Sequence, residues 1–356
     1  MTAKRTLTSR TVINVVGDGA EADAWVRALR GVEGVETERL AAGEDALLSA
    51  LSRPEVRAIA FASAAPDLSG VLRRTLMARR HVLVGPPVAL ASGQLSALAA
   101  LAVARGRTIV FDTGALGDER FAFVRRMTGG TQGLWRPRYV RSLRTGVHGA
   151  ATLDELAIND LATVLSLVGG TPAQVSAVSP RVDDEAGAAD VVMATVSLEG
   201  GPIVRVDVSM MEPWLRQEVV VACDGRTVVL DALDARAPLQ IHAATRHRVP
   251  QGGGQWAETV SEHPAGDDTS RRARAASAFA EAVRTDGVSL TNAGDLAIAA
   301  HIWERARESL ARGGERVAIA GPGGSVRPAL RVIHGGGQHI DAEAPALTLL
   351  RPSRPA

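Results

Sequence analysis

The stretch Thr11-Val-Ile-Asn-Val-Val16-Gly17-Asp18-Gly19-Ala20-Glu21-Ala22 decides the fold. Its first six residues are nearly all apolar and mostly β-branched, the pattern of a strand buried on both faces, as in a parallel sheet. The run ends in Gly17-x-Gly19-x-x-Ala22, and a helix is expected from Glu21 to about Arg30. Such a glycine pattern is weak alone, but between a strand and a helix it reads as a dinucleotide-binding turn. Gly17 would allow the tight turn. Gly19 would let the backbone approach a pyrophosphate at the helix N-terminus, where unpaired N–H groups point outward. Ala22 would keep helix and strand close. The alternative is an ordinary tight βα turn without a ligand.

Strand and helix patterns alternate onward from this turn. Val35 to Leu40 is a strand interrupted by Glu36, Glu38 and Arg39, which suits a sheet edge. Helix at Glu44–Leu51, strand at Val56–Ala62, helix at Leu68–Arg80, strand at His81–Val84, helix at Gln94–Arg105 and strand at Thr108–Phe111 complete a doubly wound parallel sheet. Beyond Tyr139 the pattern changes to period two. Tyr139–Arg144, Val175–Ser179, Val191–Leu198, Ile203–Met210, Glu218–Cys223 and Thr227–Leu230 read as strands, with hairpin turns at Gly200-Gly201 and Asp224-Gly225. One helix, Leu153 to Leu167, interrupts them and stops at Gly169-Gly170. Pro238 to Asp268, rich in Gly, His and Gln, reads as a long surface excursion. Helices at Arg271–Arg284 and Ala293–Leu310 and a last strand near Arg316 to Ala320 follow. The expected class is an α/β Rossmann domain (residues 1–129) followed by an α+β domain with an open, mostly antiparallel sheet (130–320). Residues 321–356 form a Gly- and Pro-rich tail.

Composition supports a two-domain globular chain and narrows its partners. The 356 residues suit two domains at roughly 150 residues each. Lys plus Arg is 40 against 39 Asp plus Glu, so no strong field gathers nucleic acid or anionic membrane. Aromatic residues are only 3%, too few for a base-stacking platform, and Tyr139 is the sole tyrosine. One cysteine, Cys223, excludes an internal disulfide and a cysteine-based zinc site, and favours a reducing, cytoplasmic setting. The apolar run Val12–Val16 is too short for a signal-peptide core, and none approaches the roughly 20 residues of a membrane span. The pairs His242/His247 and His334/His339 lack a carboxylate cluster, so no metal is expected.

A resemblance sharpens this. His81-Val-Leu-Val-Gly85-Pro86-Pro87-Val-Ala89 resembles the His-Val-Leu-Cys-Glu-Lys-Pro-Leu-Ala segment of the glucose–fructose oxidoreductase and inositol dehydrogenase family (Gfo/Idh/MocA). Arg53-Pro-Glu-Val-Arg-Ala58 resembles that family's Asp-Pro-Glu-Val-Asp-Ala lead into its fourth strand. Leu156-Ala-Ile-Asn159-Asp160-Leu161 resembles its Asp-Leu-Gly-Ile-His-Asp helix, and Phe279–Val283 its closing helices. The resemblance spans about residues 11 to 313 and implies NAD or NADP as cofactor, a small-molecule substrate, and a homodimer or homotetramer through the open sheet.

The departures bear on chemistry. The family lysine that positions substrate and nicotinamide falls on Pro86, and its glutamate on Gly85. The family histidine, the usual acid or base at the substrate hydroxyl, falls on Asn159, which has no relevant pKa. The aspartate four residues earlier falls on Glu155. Ser63-Ala-Ala-Pro66 stands where the family has Thr-Pro-Asn beside the nicotinamide. No acid follows the second strand until Glu44, so Arg39 is either a 2′-phosphate ligand or a solvated edge-strand arginine. Asp112, at the end of the Thr108–Phe111 strand, is the best placed replacement acid or base, with His148 and Arg144 nearby. The candidate set is therefore Glu155, Asn159 and Asp112 for chemistry, and Gly17, Gly19, Ala22, Ser63 and Pro86 for the cofactor. Two functions fit: an oxidoreductase with altered acid–base groups, or a redox-inactive member kept as a binding or assembly module.

Overall fold

A computed structural model of the chain describes residues 10–62, 67–85, 88–128, 134–146, 151–180, 190–234, 236–248, 254–263, 270–286 and 292–319. In chain order the elements are β1 (Thr11–Val16), α1 (Gly19–Arg30), β2 (Val35–Glu36), β3 (Arg39–Leu40), α2 (Glu44–Ser52), β4 (Val56–Phe61), α3 (Leu68–Met77), β5 (His81–Val84), α4 (Ser92–Arg105), β6 (Ile109–Phe111) and α5 (Glu119–Thr128). Then come β7 (Pro137–Thr145), α6 (Leu153–Val168), β8 (Pro172–Val178), β9 (Val191–Leu198), β10 (Ile203–Ser209), β11 (Arg216–Cys223), β12 (Arg226–Asp231), β13 (Leu239–Arg248), β14 (Gly254–His263), α7 (Ser270–Arg284), α8 (Ala293–Ala311) and β15 (Val317–Ala318).

The first sheet is parallel, in the order β2-β1-β4-β5-β6, with β3 also on β1. Strand order reverses at β1. The weak second strand is split into β2 and β3 and lies at the edge, as its three charged residues imply. Alternation along β4 puts Ala58 and Ala60 on one face and Ile59 and Phe61 on the other. The small face lets α1 (Trp25, Val26, Leu29) and α7 (Ala276, Phe279, Ala280) approach closely. The large face meets Leu47 of α2, Leu72 and Leu76 of α3, and Leu95 of α4. Both faces are covered, which is why the central strands carry almost no polar residue. Asn14 of β1 is fully buried and neither side-chain amide atom has a partner.

The second sheet is mixed and mostly antiparallel, in the order β14-β13-β12-β11-β7-β10-β9-β8-β15, with β10 parallel to β7. The α6 helix covers one face, with Leu156, Leu161 and Val164 buried. It opens on a capping box, in which Thr152 Oγ1 accepts from the Glu155 N–H at 3.3 Å and the Glu155 carboxylate accepts from the Thr152 N–H at 2.7 Å. It stops at Gly169, whose φ of +63° is the left-handed conformation that glycine tolerates.

Two elements differ from the sequence reading. The excursion expected over Pro238 to Asp268 contains β13 and β14, which extend the sheet by a paired hairpin from Leu239↔His263 to Arg248↔Gly254. Alternation of Leu239, Ile241 and Ala243 with Gln240 and His242 encodes it, and Gly254 opens the return strand. The α5 helix was not anticipated. Asp118 precedes it, accepting from the Arg120 N–H at 2.9 Å and pairing with the buried Arg120 guanidinium at 2.7 Å. Arg120 also donates to the Asp234 and Ala237 carbonyls, which ties α5 to the segment between β12 and β13. The 321–356 tail lies outside the described residues.

Candidate active site

The glycine turn lies where the strand order reverses. β1 is held on both sides there: the Gly17 N–H donates to Leu40 O at 3.1 Å, and the Ala62 N–H donates to Val16 O at 2.9 Å. Gly17 has φ +144° and Gly19 φ +75°, conformations that side chains rarely adopt. A Cβ on Gly19 would meet nothing within 4 Å, so this glycine serves backbone conformation and open approach rather than close packing. The N-cap of α1 is Asp18, in extended conformation, and its carboxylate makes no cap bond. The first N–H groups of α1 thus face the crevice without a side-chain acceptor, the arrangement that receives a pyrophosphate. Ala22 is fully buried against the sheet, as the motif requires. These features fit a dinucleotide.

Arg39 crosses this turn. Its Nε donates to Gly17 O at 3.3 Å, one Nη donates to Asp23 at 2.6 Å, and the other lies 3.6 Å from Asp18. Its guanidinium is thus tied to the turn and its carboxylates rather than merely solvated.

Gly85, at the end of β5, stands where the resembling family has glutamate. A Cβ there would lie 2.4 Å from Trp25 Nε1. The indole of α1 occupies that space, buried, with its N–H unpartnered. Arg272 of α7 stacks over the ring at 5.4 Å and is held by Glu21 at 2.6 Å. Only contact through space reveals this brace between α1 and α7.

Asp112 follows β6, its N–H donating to Val84 O at 2.8 Å. Its carboxylate accepts from the Gly114 N–H at 2.9 Å. Burial raises its pKa above the ordinary carboxylate value, and the nearby Arg272 and Arg271 oppose that only in part. The same turn touches α6, where Asn159 Nδ2 donates to Thr113 O at 3.3 Å. The fold therefore brings Asp112 and Asn159 to one corner, at the carboxyl ends of the parallel strands. Asn292, which sequence reading missed, also serves this corner. Its amide accepts from the Phe111 N–H at 2.8 Å and donates to Phe111 O at 2.7 Å, satisfying the edge of β6 as a neighbouring strand would.

Glu155 is engaged in the α6 capping box, accepting from the Thr152 N–H and hydroxyl. Arg144 and Asp160 form a buried ion pair beneath Asn159. Burial pushes the Cys223 thiol up to about 11, which leaves it an unreactive packing residue. Among the described residues, no three His, Cys, Asp or Glu side chains group as a metal site would require, and no helix is long and apolar enough to cross a membrane. Ser63, Pro86 and His148 lie outside the described residues.

No protein-family model matches the chain, and neither does any curated protein sequence. Solved structures do share its fold. GenD2 from gentamicin A biosynthesis, crystallised in complex with NAD, superposes with a TM-score of 0.66 at 18% identity, over 88% of this chain and 97% of its own. Apo scyllo-inositol dehydrogenase from Lactobacillus casei gives 0.68 at 12% identity, over 88% and 99%. UDP-N-acetylglucosamine 3-dehydrogenase GnnA from Acidithiobacillus ferrooxidans gives 0.65 at 18% identity, over 85% and 98%. The chain thus shares the fold of these structures over most of its length, and at these identities the likeness is one of fold.

Proposed function

We propose that the protein is an NAD(P)-dependent oxidoreductase whose acid–base groups differ from those of the sugar and polyol dehydrogenases it resembles. The observation that carries this reading is the glycine turn: Gly19 at φ +75° beside open space, and a helix N-terminus that no side chain caps, at the reversal of the strand order. The helix N–H groups would hold the pyrophosphate. The cofactor, when bound, supplies hydride chemistry. Asn159 orients a substrate by hydrogen bonds but moves no proton. Asp112, whose burial favours its protonated form, serves as the proton donor at this corner. One carboxyl without the family's histidine and lysine suits hydride delivery to an already electrophilic carbon, such as an imine or activated carbonyl. Oxidation of an unactivated sugar should be very slow.

Titration with NADH and NADPH tests the reading. Gly19→Asp sets a carboxylate against the pyrophosphate and should weaken binding more than tenfold, about 1.4 kcal/mol. If neither cofactor binds the wild-type chain at millimolar concentration, the redox-inactive reading takes its place.

The oligomer expected from the sequence belongs to this proposal. The sheet face away from α6 interleaves Leu143, Met193, Ile203 and Val220 with the ion pairs Arg141–Glu218 and Arg205–Asp207, at 2.8 Å each. Its charged residues neutralise one another across and along strands. A self-complementary face of this kind suits a second copy of the chain. Light scattering at micromolar concentration should give a dimer or tetramer mass; a monomer mass would overturn it.

A further inference from the structure

The cofactor reading leaves open which nicotinamide dinucleotide is taken, and three side chains at the glycine turn bear on it. The end of β3 is fixed beside the turn by the register Val16↔Leu40 and by the bond from the Gly17 N–H to Leu40 O. Residues at that strand end ordinarily face the adenosine ribose: an acid accepts from the ribose hydroxyls, or an arginine meets a 2′-phosphate. Here Leu40, Ala41 and Ala42 provide neither.

Arg39 is the obvious phosphate ligand, but two of its five N–H donors are engaged and the rest lie beside carboxylates. Nε is on Gly17 O, and one Nη is on Asp23 at 2.6 Å. The remaining Nη faces Asp18 at 3.6 Å. A 2′-phosphate on the remaining N–H groups would sit beside two carboxylates. The three side chains carry one positive and two negative charges, a net of −1. Such a corner repels a phosphate dianion, and like-charge juxtaposition is costly.

Asp18 has what the strand end lacks. It lies in the glycine turn itself and makes no cap bond. Its side chain is 64% exposed, so its oxygens can accept from a diol. Hydrogen bonds to a carboxylate are stronger than those between neutral groups.

We propose, resting on the cofactor reading above, that Asp18 accepts the hydroxyls of the adenosine ribose, that Arg39 is a positioning residue holding Asp18 and Asp23 at that corner, and that the site takes NAD(H) and rejects NADP(H). The acid usual at the strand end is thereby moved into the turn. Arg39, the residue that most suggests NADP in the sequence, helps to exclude it.

Calorimetric titration of the full chain with NADH and with NADPH is the test. The wild-type protein should bind NADH at least about tenfold more tightly, given the cost of placing like charges together. Asp18→Asn keeps an acceptor but removes the charge, and should narrow the ratio by raising NADPH affinity. Asp18→Ala should weaken NADH binding roughly tenfold, the loss of a hydrogen bond to a charged group. Arg39→Gln should weaken NADH at least as much as NADPH. A wild-type preference for NADPH, a ratio unmoved by both Asp18 variants, or a loss in Arg39→Gln confined to NADPH would each overturn the proposal while leaving the cofactor reading intact. Failure to bind either dinucleotide would overturn both.

Discussion

Asp160→Ala should lower the free energy of unfolding by about 3–5 kcal/mol, the cost of leaving a buried charge without its partner. Asp160 is fully buried and Arg144 nearly so. The carboxylate accepts from Arg144 Nε at 3.0 Å and from an Arg144 Nη, from Ser142 Oγ at 3.1 Å, and from Gln217 Nε2 at 3.3 Å. Truncation would strand a guanidinium, a hydroxyl and an amide under α6 in one step. Surface pairs such as Arg138–Asp224, exposed to solvent on both sides, contribute little by comparison because water and salt screen them. The attraction between Arg144 and Asp160 is offset by the cost of drying both ions. The double replacement Arg144→Met with Asp160→Leu should therefore recover the part due to the stranded guanidinium, while Ser142 and Gln217 still lose their acceptor. Urea denaturation measures both variants. A loss below about 1 kcal/mol in Asp160→Ala would show that water reaches the pair, against the burial on which the argument stands.

His81 should make the protein lose about 3 kcal/mol of stability between pH 6.5 and 4, on top of the contribution of its carboxylates. The ring is fully buried at the start of β5. Nδ1 accepts from the Thr108 N–H at 3.1 Å, so Nε2 carries the proton and donates to Asp286 Oδ1 at 3.1 Å. Burial pushes the imidazole pKa down from 6.5 to about 4; the hydrogen bond to Asp286 opposes this, and Arg107 reinforces it. Above pH 6.5 the ring is neutral folded and unfolded, and the full contribution is present. As pH falls toward 4, the unfolded chain takes up a proton that the folded ring refuses, and stability drops. Below that value both states are protonated and this loss is complete. In His81→Gln the slope of stability against pH across the window should fall by about one proton, or ~1.4 kcal/mol per pH unit. Equal slopes in the two proteins would refute the assignment. The cluster also fastens α7: Asp286 accepts from Arg57 at 2.8 Å and Arg107 at 2.6 Å, and Arg57 donates to Val283 O at 3.1 Å. It lies at the opposite end of the parallel strands from the candidate site, so acid should loosen the fold there first.

Much of the architecture was legible in the sequence because secondary structure depends on neighbours. The run Thr11–Val16 and the turn at Gly17 and Gly19 specify a parallel strand entering a helix through a tight glycine turn. Period-two runs such as Val191–Leu198, with Gly200 and Gly225 at the turns, specify the second sheet. The elements that escaped were those whose stability comes from distant partners. β13 gains its register from β12 and β14, and α5 is anchored by the bonds of Arg120 to residues 234 and 237.

The site divides the same way. Local pattern alone marked the tight turn at Gly17 and Gly19 and the buried Ala22, since a backbone turn is written in consecutive residues. Chemistry was not local. Whether Glu155 caps a helix or carries a proton depends on where Thr152 points; whether Arg39 binds phosphate depends on Asp23, sixteen positions away. Gly85 is glycine because Trp25 needs the space, and Asp160 is structural because Arg144 is buried beside it. The sequence by itself determined the order of strands and helices and the turn that would meet a cofactor, because torsional preference and periodic burial act over a few residues. Only the tertiary structure decided which charges are spent on one another and which remain for a ligand, because Coulomb attraction and desolvation depend on distances through space that chain separation does not encode.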